Sequence, residues 1–559
     1  MQQDNAHLYN LSRRKVLAGL GAVGLASAGA GLGTSALFSD EEEFTNNTLV
    51  AGSFDLKVDW QQTYYGPNGL EYVNAYPDAL TYEYEPVPFS RGEQIDRIVF
   101  DADEPVLAGT NPNQPDGIQD YVPDFGVFLL DYAAENPGVN LGTSAGLRQA
   151  TNAYKAAYFA DVPADLDGGL IQLDDVKPGD WGEVTFSLHL FDNPGYLRLL
   201  TENVTSAENG QTEPEVGDEG EDTDGLGELA DATDVRVWYD DGDNIYEPND
   251  GEPRDVMVVL DRSGSMVEAD ASIRGATGQT NYEPGKLEAA KAGAIALVES
   301  LAECPDTNIG FVTFGNDGEV VSPLGTAPAT IVAAIEAIEI GPERPGPRDQ
   351  GTNMQDGIAE ARDELATNGQ SGAAANIVLL GDGLASRESR SDTNDAVLAA
   401  GLEAGEAKGE GTTVYTVQYD LAPSSPNNLG DILEARDLMR TMASADPDTN
   451  SQLTFGSVQG NVVGVFQRIA LYICGDVLLF EGTLADFVAA TEEGVVLDAA
   501  PMIDADPARF EACSDYYLGF EWSVPLDTDN SIQSDSFGFD VVFEGEQARH
   551  NDTPFAESD

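Results

Sequence analysis

The central part of the chain contains Val256-Met257-Val258-Val259-Leu260-Asp261-Arg262-Ser263-Gly264-Ser265. The five apolar residues predict a buried strand, and the polar and small residues after them predict a loop. In open α/β sheets, ligands bind just beyond the carboxyl ends of the strands. Asp261 therefore stands at a position where a ligand would bind.

Apolar strands and helices alternate from this stretch to about residue 474. The predicted strands are Ile309–Phe314, Asn376–Leu380 and Thr413–Tyr419. The predicted helices are Lys286–Glu303, Thr330–Ile338, Asn353–Leu365, Asp395–Ala407 and about Asn461–Ile473. Such alternation is typical of a parallel sheet covered by helices, so residues 254–474 are predicted to form one α/β domain.

The segments on either side of this domain have a different pattern. Residues 45–200 and 515–545 alternate apolar and polar side chains between Gly, Pro, Asn and Asp turns, which predicts all-β structure. The tryptophans also lie outside the central domain, at Trp60, Trp181, Trp238 and Trp522. Because each flank alone is a poor closed sandwich, we predict one β domain interrupted by the α/β domain. Its two parts are residues 37–253 and 475–552, followed by a tail at 553–559.

Several smaller features lie in the flanks. Residues 206–230 are acidic and rich in Gly, which predicts a solvated loop or linker without chemistry. The stretch Asp240-Asp241-Gly242-Asp243-Asn244 is interpreted as a surface turn, with a calcium-binding turn as the alternative. The sequons at Asn46, Asn203 and Asn551 are candidate glycosylation sites.

Two more oxygen-bearing side chains occupy strand-to-helix loops of the α/β domain. Thr352 precedes the helix at 353–365, and Asp382 follows the strand at 376–380. All-oxygen ligation suits Mg²⁺, Ca²⁺ or Mn²⁺ and disfavours zinc and copper. The short stretch after the first strand would also suit a capping turn, but three such loops at one sheet edge favour a metal site. The predicted metal-site residues are Asp261, Ser263, Ser265, Thr352 and Asp382.

The ligand types of this predicted site also indicate a mechanism. Hydroxyl groups stay neutral when they bind a metal ion. If the carboxylates act mainly through water, the cation keeps positive charge and an open coordination position. Such an ion attracts a carboxylate from a partner. The site therefore predicts metal-dependent adhesion, with Mg²⁺ preferred and Ca²⁺ or Mn²⁺ as alternatives.

The net charge limits the partners and the environment of the protein. Asp and Glu number 99 against 27 Lys and Arg, which gives a formal net charge of −72. This surface repels phosphates, so nucleic acid and anionic membranes are not predicted partners. At about 1 M salt the Debye length falls to about 3 Å, and the self-repulsion is screened. We therefore predict a halophilic protein, with a calcium-binding acidic secreted protein as the alternative.

The first residues predict export. Ser12-Arg13-Arg14-Lys15 precedes a Gly- and Ala-rich apolar run to Phe38, which is typical of a twin-arginine signal over residues 1–36. Cleavage is expected between Ala36 and Leu37; a short membrane anchor is the alternative. Later stretches are shorter than the roughly 18 apolar residues that span a bilayer. The mature protein is therefore predicted to be extracellular or on the cell surface.

Cysteines and histidines restrict the chemistry. The three cysteines allow one disulfide, either Cys474–Cys513 or Cys304–Cys474. The three histidines are His7, His189 and His550, and no H-E-x-x-H motif or Walker A loop occurs. His189 is interpreted as a strand residue with a hydrogen-bond partner rather than a catalytic base. We therefore predict no catalytic residue, no organic cofactor and no enzyme activity.

Residues 254–474 resemble a von Willebrand factor type A domain with a complete metal-ion-dependent adhesion site. The resemblance is carried by Asp261-Arg262-Ser263-Gly264-Ser265, Thr352 and Asp382. It implies a Rossmann-like fold with an antiparallel edge strand. It also implies that the three hydroxyl side chains bind the metal directly and that the two carboxylates act mostly through water.

The flanks resemble camelysin/TasA-type secreted proteins of the haloarchaeal branch. The resemblance is carried by Leu37-Phe38-Ser39-Asp40-Glu41-Glu42, Asn46-Asn47-Thr48-Leu49, Ala51-Gly52-Ser53-Phe54-Asp55-Leu56, Val176-Lys177-Pro178-Gly179-Asp180, Asp192-Asn193-Pro194-Gly195-Tyr196, Phe520-Glu521-Trp522 and Gln547-Ala548-Arg549-His550-Asn551-Asp552. It implies a jelly-roll-like antiparallel β-sandwich, into which the A domain is inserted. Phe191 and Ala548 stand where many relatives have Cys, so the family's disulfide pattern does not carry over.

These features are consistent with two non-enzymatic functions. The first is a surface adhesion or recognition protein whose A domain captures a partner with exposed Asp or Glu. The alternative is a structural subunit of an extracellular fibre or matrix, because relatives of the flanks polymerise by donating an N-terminal strand. A camelysin-like metallopeptidase is the least favoured interpretation.

Overall fold

The computed structural model describes residues 55–65, 125–141, 143–158, 176–191, 193–218, 225–242, 245–249, 251–266, 285–339, 351–385, 393–421, 429–446, 452–457, 461–503, 505–549, 551 and 553–556. The export signal, its cleavage site, the Asn46 sequon, His7 and His550 lie outside these residues.

The flank before the central domain contains both strands and helices. Its strands are β1 (Asp55–Tyr65), β2 (Trp181–Phe191), β3 (Gly195–Ala207) and β4 (Asp234–Asp240). Its helices are α1 (Phe125–Glu135), α2 (Ser144–Tyr158), α3 (Glu213–Asp218) and α4 (Leu229–Ala232). The all-β prediction for this flank is wrong, because α1 and α2 form a separate apolar cluster with Phe191. The solvated-linker prediction for 206–230 is also wrong in part, since β3 and α3 enter that stretch.

The central domain follows the predicted alternation. Its elements are β5 (Arg254–Asp261), α5 (Lys286–Glu303), β6 (Thr307–Phe314), β7 (Gly318–Ser322), α6 (Pro328–Glu336), α7 (Met354–Asn368), β8 (Ala374–Gly381), α8 (Thr393–Gly409), β9 (Thr413–Tyr419), α9 (Leu429–Met442), β10 (Thr454–Ser457) and α10 (Val462–Cys474). The sheet has the order β10-β9-β8-β5-β6-β7, parallel except for the antiparallel edge strand β7. The predicted strands and helices are confirmed, whereas α9 and β10 were missed. Strand β7 is the antiparallel edge strand that the resemblance to a von Willebrand factor type A domain implies.

Strand β5 lies in the middle of this sheet and is buried on both faces. Val256, Val258 and Leu260 pack on the side that includes α5 and α10, whereas Met257 and Val259 pack on the side that includes α7, α8 and α9. Alternate residues of a strand point to opposite faces, so a continuous apolar run is what a strand covered on both sides requires. Because side chains pack on both faces of β5, the carboxyl end of this strand, which carries Asp261, is held in place.

The flank after the central domain completes two antiparallel sheets. Its elements are β11 (Val477–Thr483), α11 (Leu484–Thr491), β12 (Val495–Val496), β13 (Asp515–Ser523) and β14 (Ser536–Gln547). The sheets have the orders β1-β2-β13-β4-β11 and β12-β3-β14, so each combines strands from both flanks. A jelly-roll connection and the domain boundaries stay predictions.

Two contacts tie the last helix of the central domain to its surroundings. A disulfide joins Cys304, directly after α5, to Cys474 at the end of α10. Cys513 is buried and takes no part in this bond. Arg468 of α10 donates a hydrogen bond to the Asp241 carbonyl, 2.7 Å away. The structure thus selects one of the two disulfides that the sequence left open.

The turn after β4 is not the surface turn predicted from its sequence. Asp240 and Asp241 are both buried. One Asp240 oxygen accepts a hydrogen bond from Trp238 Nε1 at 3.1 Å, and the other accepts one from the Gly242 amide. Asp243 and Asn244 lie outside the described residues. Across the part of the chain that the structure describes, no helix combines the length and apolar character needed to cross a membrane.

Candidate metal centre

The residues of the predicted metal site lie on three loops at the carboxyl edge of the central sheet. Asp261 ends β5, and Asp382 follows β8 directly. These two strands are hydrogen-bonded neighbours, with Leu260 opposite Leu380, so the two carboxylates come from adjacent strand ends. Parallel neighbours with the same register present their loops side by side, as the sequence predicted.

Hydrogen bonds link four of these residues. The Ser263 amide donates to Asp261 Oδ1 at 2.7 Å. Ser265 Oγ donates to Asp382 Oδ1 at 2.6 Å, and the hydroxyl oxygens of Ser263 and Ser265 lie 2.9 Å apart. The short loop after β5 therefore positions both hydroxyls between the two carboxylates.

Thr352 lies on a third loop, two residues before α7 begins, and is buried. The Asn353 amide donates to the Gly315 carbonyl at 2.8 Å, and the Gly351 amide donates to Asn316 Oδ1 at 2.7 Å. Because Gly315 follows β6, these bonds hold the Thr352 loop against another carboxyl strand end. The loop after β5 is held there too, since the Arg262 amide donates to the Phe314 carbonyl.

Asp261 has a buried carboxylate oxygen that lacks a partner. The residue is 0% exposed, and Oδ2 has no hydrogen bond within the described structure. Burial, and secondarily the negative charge of Asp382, raise the pKa of Asp261 to about 8. An isolated ionised carboxylate is costly in such an environment, whereas a nearby divalent cation stabilises it. The orphaned oxygen and the surrounding oxygen donors therefore fit a hard divalent ion such as Mg²⁺ or Ca²⁺.

A lysine that the sequence analysis did not single out contacts this site. Lys286 Nζ, at the start of α5, lies 3.1 Å from Asp382 Oδ2 and 2.9 Å from Asp420 Oδ2. Burial lowers the pKa of Lys286, but the charges of Asp382 and Asp420 outweigh it, so the pKa is raised. Burial raises the pKa of Asp420 despite the opposing effect of Lys286. Asp420 follows β9 directly. The search for oxygen-bearing side chains just after a strand, which identified Asp382, would therefore also have identified Asp420.

His189 lies in the β domain rather than at the carboxyl edge of the central sheet. Its Nδ1 atom is 2.7 Å from Asp515 Oδ1, and both side chains are buried. The other Asp515 oxygen accepts a hydrogen bond from the Phe125 amide at 2.8 Å. The interpretation of His189 as a strand residue with a satisfied partner is confirmed. The absence of enzyme activity stays a prediction.

The geometry of the three loops agrees with a match to a known family. Residues 256–384 match the von Willebrand factor type A domain. The matched stretch runs from β5 to the loop that carries Asp382. No match to this chain was found among curated proteins. The resemblance of the flanks to camelysin/TasA-type proteins stays a prediction.

Solved structures similar to this chain include a domain of a pili tip protein and a minor pilin. The vWF domain of the type V pili tip protein Mfa5 from Porphyromonas gingivalis is 18% identical, with a TM-score of 0.30, over 40% of this chain and 95% of that one. The PilB minor pilin from Streptococcus sanguinis is 16% identical, with a TM-score of 0.29, over 41% of this chain and 63% of that one.

A third similar structure is proximal thread matrix protein 1 from the mussel byssus, described with a zinc-occupied MIDAS motif. It is 15% identical, with a TM-score of 0.27, over 40% of this chain and 50% of that one. Because all three TM-scores lie below 0.5 and all identities below 25%, these likenesses do not indicate what the present chain binds.

Proposed function

We propose that this chain is an extracellular, divalent-metal-dependent adhesion or recognition protein of a halophile. Its A domain would bind a partner that exposes Asp or Glu side chains. The observation that carries the proposal is the fully buried Asp261, whose Oδ2 atom lacks a hydrogen bond among the described residues and lies beside hydroxyl and carboxylate groups. The net charge of −72 supports a protein that works in concentrated salt.

The residues at the carboxyl edge would bind the ion in two ways. Ser263, Ser265 and Thr352 would hold the ion directly, and Asp261 and Asp382 would hold it through water. When bound, Mg²⁺ supplies a Lewis-acidic position that accepts a carboxylate oxygen. The neutral hydroxyl ligands leave most of the ion's charge uncompensated, which favours an anionic partner.

The exposure of the site residues indicates the side from which a partner approaches. Ser265 is exposed, whereas the other four predicted site residues are buried. The amide of Ser263 holds Asp261 from within the domain, so this carboxylate cannot turn towards solvent without losing that bond. The partner would therefore contact the edge beside Ser265.

Lys286 would supply positive charge at the site when no metal ion is bound. Its substitution should therefore lower the stability of the metal-free protein and raise the affinity for Mg²⁺. Lys286→Met is expected to lower the free energy of unfolding in EDTA by about 3 kcal/mol, because Asp382 and Asp420 lose their buried counter-charge. The affinity for Mg²⁺ should rise several-fold, because a positive charge beside the ion is removed. Denaturant unfolding in molar salt, with EDTA and with a series of Mg²⁺ concentrations, measures both effects.

Lys291→Met is the matched control for this variant. Lys291 lies on the same helix, is buried and pairs with Glu288 instead of a site carboxylate. Its loss should change stability without changing the dependence on Mg²⁺. Equal Mg²⁺ affinities for wild type and Lys286→Met would show that Lys286 has no role at the metal site.

The adhesion proposal is tested by capture of a partner from cell-envelope extract in molar salt. Immobilised wild-type protein should retain the partner in Mg²⁺, release it in EDTA and bind it again when Mg²⁺ is restored. Extract whose carboxylates have been converted to amides should give no capture, because the ion would lose its ligand. Ser263→Ala should behave like wild type in EDTA. Capture that persists in EDTA and in Ser263→Ala would exclude the proposed mechanism.

The alternative is a structural subunit of an extracellular fibre assembled by N-terminal strand donation. One observation favours it: β1 lies at an edge of the five-stranded sheet and follows the N-terminal segment along the chain. Edge strands offer unpaired backbone groups to another chain. In the same capture experiment, a chain without residues 37–50 should keep metal-dependent binding but form no fibres. Residues 37–50 lie outside the described structure.

A further inference from the structure

The sequon Asn203-Val204-Thr205 lies on an exposed part of strand β3 in the β domain. Each of its three residues is exposed to solvent. The pattern Asn-X-Thr is an acceptor for N-linked sugar in exported proteins when it lies on the surface. The folded chain therefore presents this sequon where a transferring enzyme can reach it.

A β-bulge removes Asn203 from the regular pairing of β3 with β14. Thr205 pairs with Gly538 and Glu202 pairs with Asp540, so Asn203 and Val204 together lie opposite a single residue. Asn203 has a φ of +52°, a left-handed conformation that Asn adopts more readily than most side chains. The extra residue of a bulge is left out of the hydrogen-bonded ladder. The sequon is therefore held less tightly than a regular strand of the same sheet.

The backbone of the sequon is also open on one side. Strand β3 is the middle strand of its sheet, but β12 pairs with it only at Arg198 and Leu199. Along residues 202–205, the strand pairing within the described part of the chain is with β14 alone. An enzyme can therefore approach the sequon from the side that β12 does not reach.

The side chain of Asn203 makes a contact that water can replace. Its Nδ2 atom donates a hydrogen bond to Asp540 Oδ2 at 2.7 Å, and both residues are exposed. Asn551, in another sequon, is half-buried, and its Nδ2 atom donates to Glu546 Oε2 at 2.8 Å. The Phe555 amide donates to the same Glu546 oxygen, so Asn551 belongs to a contact that holds the chain after β14. The structure therefore favours Asn203 over Asn551 as an acceptor.

We propose that Asn203 carries an N-linked sugar chain in the exported protein. The donor is an oligosaccharide attached through phosphate to a lipid carrier. A bond forms between Asn203 Nδ2 and the anomeric carbon of the sugar, and the bond from that carbon to the phosphate oxygen breaks. The phosphate oxygen keeps the electron pair, and the amide nitrogen releases one proton. The proposal rests on the extracellular location in the proposed function, because a sequon is used only in an exported chain.

Mass spectrometry of the full chain, purified from the surface or medium of the cells that naturally produce it, tests this site. Trypsin cuts after Arg198 and Arg236 and releases residues 199–236 as one peptide. This peptide should be heavier by a whole number of sugar residues, and fragmentation should place the added mass on Asn203. Asn209 is an internal control, because it is exposed and has a φ of +57° but is not part of a sequon.

Substitutions within the sequon separate the modification from the fold. Thr205→Val should abolish the sugar on Asn203, because it removes the hydroxyl group that the sequon requires but keeps a β-branched side chain. Thr205→Ser should retain the sugar. Asn203→Gly should lose it while keeping the bulge, since Gly adopts a positive φ readily. Equal circular dichroism spectra for the three variants would show that they fold alike.

The outcomes distinguish this proposal from the proposed location. A chain recovered at the cell surface with an unmodified Asn203 would overturn the proposal and leave the extracellular location intact. A chain found only inside the cells would overturn both. Added mass on peptide 199–236 that persists in Thr205→Val would also overturn the proposal, because the sugar would then be attached without the sequon.

Discussion

Asp261→Asn is expected to weaken Mg²⁺ binding by about 10- to 100-fold while making the metal-free protein more stable. Loss of a side chain that orients metal ligands typically lowers metal affinity by about this factor. The gain in stability arises because Asn has nearly the same shape but leaves no negative charge buried beside Asp382. In a capping turn, by contrast, both the Mg²⁺ affinity and the stability of the metal-free protein would fall. A lower affinity together with a higher stability therefore indicates a metal site.

The pH dependence of the metal-free protein follows from the same residue. An unfolded Asp has a pKa of about 4, whereas burial and Asp382 raise that of Asp261 to about 8 in the folded chain. Folding therefore favours the protonated form, and this contribution is fully present below about pH 4. It is lost progressively as the pH rises towards about 8. In EDTA, wild type should lose stability over this interval relative to Asp261→Asn.

Calorimetric titration with Mg²⁺ and denaturant unfolding at several pH values, both in molar salt, measure these effects. Asp317→Asn is a suitable control, because Asp317 is exposed and lies in the loop after β6 at the same edge of the sheet. It should leave the Mg²⁺ affinity and the pH dependence unchanged. A pH profile of Asp261→Asn that parallels wild type in EDTA would contradict the assignment of the buried charge to Asp261.

Loss of the Cys304–Cys474 bond is expected to lower the free energy of unfolding by about 5 kcal/mol. The bond closes a segment of 170 residues, and opening it returns conformational entropy to the unfolded chain. It also fixes the end of α5 to the end of α10, which pack in one core cluster. The double variant Cys304→Ser/Cys474→Ser should therefore unfold at a much lower denaturant concentration than wild type.

Denaturant unfolding in molar salt, with and without reductant, checks this expectation. Cys513→Ser serves as the control, because Cys513 is buried but lies outside the bond. It should cost only about 1 kcal/mol, the range of most single substitutions. Reductant should destabilise wild type and Cys513→Ser equally and leave the double variant unchanged. Identical unfolding midpoints for wild type with and without reductant would show that the bond does not form in solution.

At the carboxyl edge of the central sheet, Lys286 lies between Asp382 and Asp420 and offsets their negative charge.

Much of the central domain could be predicted because its signals are local. The apolar run of β5, the periodic helices and the positions of Asp261 and Asp382 at strand ends are all visible within short windows. Parallel strands bring their carboxyl ends to one edge, so order along the chain translates directly into proximity. Helix α1 was missed because its residues, Phe-Gly-Val-Phe-Leu-Leu-Asp-Tyr-Ala-Ala-Glu, are apolar on most sides and lack a clear helical period.

By itself, the sequence determined the α/β alternation of residues 254–474, the three oxygen-bearing loops and the strongly acidic character. The tertiary structure alone decided that Lys286 meets Asp382, that Cys304 bonds to Cys474, and that Asn203 lies in a bulge opposite β14. The spacing of apolar residues indicates on which face of its own strand or helix each residue lies. It carries no information about which distant element packs against it, because that choice depends on how all elements together bury their apolar faces.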